Sequence, residues 1–171
     1  MADYYTPTVI QQTIPETDMT PLERLLLSQI FDVEREREGW YFFSEQGPSD
    51  MILVERAALE TAFTQSQVSA ESVANTLVKE HLLKLQGAGP DAQLVDLDLS
   101  MTSWESILQD IVRRSPTLRY VSAVSSFTCS RMRSDGFGGA VVVISADAIL
   151  GKSTIDLLEE FIEQVAPSSN G

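Results

Sequence analysis

Cysteine and histidine occur once each in this 171-residue chain, as Cys129 and His81. One thiol excludes an intramolecular disulfide, and one residue of each type excludes zinc sites assembled from several Cys and His within the chain. Basic residues are scarce as well: 12 Lys and Arg stand against 25 Asp and Glu, a formal charge of -13. That balance argues against direct DNA binding, which ordinarily shows a basic footprint. Uninterrupted apolar runs such as 140–144 fall far short of the roughly 20 residues of a membrane span, so no membrane association is expected. The first residues carry neither the basic and apolar blocks of a secretory signal nor an Arg-rich transit pattern, and a cytoplasmic location is the expectation. With 43% hydrophobic and 22% charged residues, the composition belongs to folded chains rather than disordered ones.

Residues 1–19 hold Pro7 and Pro15 among β-branched Thr8, Val9, Thr13 and Ile14 and read as an extended arm or edge strand. Thr20-Pro21-Leu22-Glu23 is a capping box with proline at the first helical position. The helix it opens shows Leu22, Leu25, Leu26, Ile30 and Val33 on one face, with 34–38 as a solvated last turn before Gly39. Strand-like 40–44 and 51–54 flank turn residues 47–50, which predicts a hairpin. A short helix over 56–63 follows, then a longer one capped by Ser69 with Ala70, Val73, Ala74, Leu77, Val78, Leu82 and Leu85 inward, stopped at 87–90.

Residues 94–99 alternate as a strand, and Thr102 with Glu105 predicts a second capping box before Trp104, Ile107, Leu108 and Ile111. A long strand over 118–133 turns through 134–139 into 140–145, whose two-sided apolarity predicts a central strand. Ser153 caps a last helix with Ile155, Leu158, Phe161, Ile162 and Val165 facing inward, and 167–171 fray. The fold class expected is α+β: one domain over 20–166, with a mixed or mainly antiparallel sheet of four to five strands packed against amphipathic helices.

Three constellations invite chemistry. Residues 146–153 end in Gly151-Lys152-Ser153 and match a relaxed phosphate loop, with Ala146 in place of the first glycine. Asp147 would repel a phosphate there, and Ile149 and Leu150 hinder the wrap, so the plainer reading is a turn and helix cap. Asp96 and Asp98 alternate on one strand face and could share a hard cation, or simply be the wet side of a half-exposed strand. Cys129 and His81 would need to meet in space to make a nucleophile and its base, and each also reads as an ordinary structural residue.

Charge placement carries more weight. Residues 111–134 contain Arg113, Arg114, Arg119, Arg131 and Arg133 and no acid, a +5 segment within a -13 chain. With Tyr120 and Phe137 they form a candidate partner-binding set, since Arg and aromatic side chains anchor interfaces. The function expected is a non-enzymatic, acidic interaction protein, an adaptor or inhibitor binding another macromolecule, with a protein as the expected partner and no cofactor. The alternatives are a small-molecule or nucleotide site using Lys152 or the Asp96/Asp98 pair, and a structural homo-oligomer showing an apolar patch related to itself by two-fold symmetry.

Overall fold

The computed structural model describes residues 3–67, 72–85, 93–100 and 102–165. In chain order the elements are β1 (Tyr4–Tyr5), β2 (Thr8–Ile10), β3 (Ile14–Pro15), α1 (Pro21–Ile30), β4 (Asp32–Glu36), β5 (Gly39–Ser44), β6 (Met51–Glu55) and α2 (Arg56–Ser66). They continue as α3 (Val73–Leu85), β7 (Leu94–Asp98), α4 (Trp104–Arg114), β8 (Tyr120–Cys129), β9 (Phe137–Ser145), β10 (Ile149–Ser153) and α5 (Thr154–Val165). Eight strands make one antiparallel sheet along the path β10-β9-β8-β2-β5-β3, with β1 also on β8 and β4 also on β5; β6 and β7 pair separately. The architecture is α+β with an antiparallel sheet, as expected, but eight strands exceed the four to five predicted. The surplus comes from the three short strands of the first nineteen residues, from β4, and from β10, which lies where a turn and helix cap are predicted.

β4 lies where the sequence predicts the last turn of a helix. α1 ends at Ile30, and Asp32–Glu36 then pair with Phe43–Gly39 through a tight turn in which Arg37 takes a φ of 49°. The alternation of Val33 with Glu34 and Glu36 explains the difference: Val33 leans on the core while the acids face water, the charged pattern of a protected edge strand. With β4 on one edge of β5 and β2 and β3 on the other, residues 51–54 have no place beside β5. The predicted hairpin of 40–44 with 51–54 is therefore absent; Ile52 and Val54 pair instead with Leu97 and Val95 of β7, and all four are buried.

The capping box at α1 is formed as predicted: Thr20 Oγ1 accepts from the Glu23 amide, and Glu23 Oε2 from the Thr20 amide at 2.9 Å. Buried Ser66 accepts from the Leu22 amide at 2.9 Å, and Pro21 has no N–H, so the orphan donors of this helix end are satisfied. The predicted box at Thr102 and Glu105 does not form, because Ser103 occupies the N-cap position of α4. Ser72 receives the Asn75 amide at the start of α3; the predicted cap Ser69, Ala70 and the stop at 87–90 lie outside the described residues.

Helices α1 to α4 pack together on one side of the main sheet, with α4 over β8 and β9. Their faces bury Leu22, Leu26, Leu27, Leu59, Val78, Ile107, Leu108 and Ile111 against Ile10, Phe42, Val121, Ala123 and Ile144 of the sheet. The opposite face of the sheet is open: Val9, Val141, Val143 and Leu150 are all exposed. β9 is thus flanked by strands on both sides, as a central strand must be, yet on its helix-facing side Ile144 is buried and Val142 half-buried, while Val141 and Val143 stay exposed. Among the described residues no helix is long and apolar enough to cross a membrane.

Candidate functional site

The phosphate-loop lookalike has no loop at its heart. Ser145 and Ala148 close a turn through the Ser145 amide and Ala148 carbonyl at 2.8 Å, and Ile149–Ser153 run extended in register with Ile144–Ala140. A phosphate cradle needs consecutive amides curled toward one point, whereas a strand sends them alternately to its two edges. Lys152, offered by the sequence as the phosphate-binding cation, pairs with Glu160 of α5 at 2.5 Å. Ser153 does cap α5: its Oγ accepts from the Asp156 amide at 3.2 Å, and Asp156 Oδ2 accepts from the Ser153 amide at 2.6 Å. The Ser153 amide and hydroxyl, both donating to Asp156 Oδ2, hold that carboxyl below its ordinary pKa.

Asp96 and Asp98 stand on the exposed side of β7, opposite Leu53 and Met51 of β6, which are themselves more than half exposed. The Ser100 side chain and amide favour the charged form of Asp98, the amide at 2.9 Å, and lower its pKa. His81 is on α3, which packs against α1, α2 and α4, and buried Cys129 ends β8 beside Gly136. Among the described residues, no three His, Cys, Asp or Glu side chains gather as a metal-binding group.

The five arginines divide into two groups at opposite ends of β8, a strand of ten residues spanning roughly 30 Å. At one end Arg113 is engaged by Asp110 at 3.0 Å and by the Ala146 carbonyl at 2.8 Å. Arg114 reaches fully buried Glu23 at 2.5 and 2.7 Å, while Arg119 and Tyr120 are exposed. At the other end exposed Arg131 and Arg133 sit in the β8–β9 turn, with Arg133 on Asp135 at 3.2 Å. There Tyr4 stacks on Phe127 with ring centres 5.6 Å apart, and Phe137 begins β9. So the structure brings Arg131, Arg133 and Phe137 to one tip and leaves Arg113, Arg114, Arg119 and Tyr120 at the other end.

The largest departure from expectation is α5. Every residue from Thr154 to Val165 is exposed, including the five predicted to face inward: Ile155 is 64% exposed, Val165 80%, and Leu158, Phe161 and Ile162 each more than half. The helix meets the sheet through polar groups, Thr154 Oγ1 accepting from the Gly139 amide at 3.1 Å and Glu160 pairing with Lys152 of β10. At 100° per residue, Ile155, Leu157, Leu158, Phe161, Ile162 and Val165 fill a continuous arc of roughly 160°, and Asp156, Glu159, Glu160, Glu163 and Gln164 fill the rest. Beside the first turn lies a groove of about 620 Å³, floored by Ala140 and the glycines at 138 and 139 and walled by Phe127, Phe137, Ile155 and Leu158. The amphipathic pattern was readable in the sequence; that nothing in the described chain covers it was not, because periodicity names a face and not its neighbour.

Compared with protein-family models, curated proteins and solved structures, the chain matches none. The arrangement of its side chains is therefore the ground for any functional reading.

Proposed function

We propose that this chain is a non-enzymatic interaction protein, an adaptor or inhibitor that works by docking another protein. The observation that carries the reading is the uncovered apolar arc of α5, continuous through Ile155 and Leu158 with the groove between Phe127 and Phe137. A contiguous apolar surface of this kind marks an interaction site when it is exposed on a folded chain. A twelve-residue helix is marginal in water without a packing partner, so the arc has a stabilising contact to gain. Arg131 and Arg133 at the adjacent tip supply the rim, where charge sets orientation and partner choice more than affinity. A single buried thiol suits a reducing compartment and supports the cytoplasmic placement.

The test is a photoreactive side chain placed at Phe161 in the arc, and separately at Met51, an exposed apolar position on β6. Irradiation in native lysate is expected to yield a discrete protein adduct from position 161 and none from 51. Equal, diffuse labelling from both positions, or no protein adduct from 161, would remove the reading.

A further inference from the structure

We propose that the protein covering α5 is a second copy of this chain, the two copies joining across a two-fold axis with their α5 helices antiparallel. The inference rests on the interaction reading above and names the occupant of that surface. Ile155, Leu158, Ile162 and Val165 follow one another at spacings of three, four and three residues, the repeat of a helix–helix seam. Phe161 and Leu157 widen the seam on one side, and all four acids of α5 lie on the opposite arc. Two such helices meet stripe to stripe without bringing a carboxylate into the seam.

The groove supplies the second half of the fit. It lies at the N-terminal end of α5, so an antiparallel neighbour brings its own Ile162 and Val165 over Phe127, Phe137 and Ala140. The same surface then offers both ridge and hollow, the self-complementarity that a two-fold contact demands.

Area supports a second copy as well. At the exposures observed, the six α5 side chains with Phe127 and Phe137 present roughly 100 Å² apiece, or roughly 800 Å² together. Full cover of that area would supply the share each partner gives to a standard specific interface. The surface is apolar at its centre, with the acids of α5 on one flank and Arg131 and Arg133 at the adjacent tip, so its rim carries both signs of charge, as a surface that pairs with its own copy needs. A second copy is present whenever the chain is, and it leaves no such surface bare.

Sedimentation equilibrium of the purified chain distinguishes the outcomes, with the Leu158→Glu and Phe161→Glu variants and Glu163→Gln on the opposite arc as control. The expected result is a species of twice 18.9 kDa for wild type and control. Each arc variant should raise the dissociation constant at least about a hundredfold and keep the far-ultraviolet circular dichroism of the rest of the fold. A wild-type dimer indifferent to both arc variants would overturn the interface. A wild-type monomer that binds a hydrophobic dye, with binding lost in Leu158→Glu, would overturn the second copy while leaving a foreign partner for the arc. A monomer that binds no dye would overturn both the second copy and the interaction reading.

Discussion

Glu23 shows how one side chain ties distant parts of the chain together. It caps α1 through the Thr20 amide, and the same buried carboxylate receives Arg114 from the end of α4, 91 residues away. Its exposure is nil and Arg114 is about a quarter exposed, so removing the arginine strands a charge in the core. Arg114→Ala should lower the unfolding free energy by about 3–5 kcal/mol in urea titration; a loss below about 1 kcal/mol would show that the carboxylate finds water or another donor. Arg37 is a smaller case: its φ of 49° is costly for an L-residue with a Cβ, and its turn is exposed. Arg37→Gly is expected to hold or raise stability, by up to about 1 kcal/mol in the same assay. The capping box was legible because its members are three residues apart. The ion pair was not, since no local pattern connects residue 23 with residue 114.

At the scale of elements, two joints decide the architecture. Gly39 lets β3 approach β5 closely: a Cβ there would stand 2.6 Å from Thr13 Cγ2 and 2.7 Å from the Ile14 carbonyl oxygen. Gly39→Ala should therefore loosen the β3–β5 pairing and lower the unfolding free energy by about 1–3 kcal/mol, with faster amide exchange at Ile14 and Trp40; an unchanged melting curve would contradict this. The first turn of α5 depends on Asp156, whose pKa is lowered by the Ser153 amide and hydroxyl. A depressed carboxyl contributes stability above its unfolded-state pKa and loses it as pH falls through the lower folded value. The Ser153 amide resonance should thus titrate with a midpoint below 3.8, the ordinary value for the carboxyl, and Asp156→Asn should abolish that titration; a midpoint at or above 3.8 would mean that the cap is not populated. Most helices and strands were legible, α1 from its cap and period, α4 and β7 from period alone. What failed was pairing and cover: β4 hid inside a charged run, β6 found β7 rather than β5, and the inward face of α5 proved to face out.

For the whole molecule, the charge of -13 and the apolar arc of α5 act in opposite directions on self-association. Two like-charged copies repel over a distance that salt shortens, while the seam itself contains no charge to be screened. Raising ionic strength is expected to tighten the dimer, and dissociation by salt would point to a charge-driven contact in place of the apolar one. The segregation of Arg113, Arg114, Arg119 and Tyr120 from Arg131, Arg133 and Phe137 belongs to this scale too. Sequence proximity within 111–137 suggested one patch, but a ten-residue strand separates its ends. Such a strand turns neighbours in sequence into opposite poles of the fold.

The most direct test of α5 as the working surface is amide hydrogen exchange along residues 154–165 across a thousandfold range of protein concentration. A helix covered by a second copy should gain protection with concentration, in step with the mass of the sedimenting species, while the α1 and α4 amides stay constant. Protection of α5 that is already high in dilute solution and independent of concentration would show that the arc is covered within one chain, and would contradict the account.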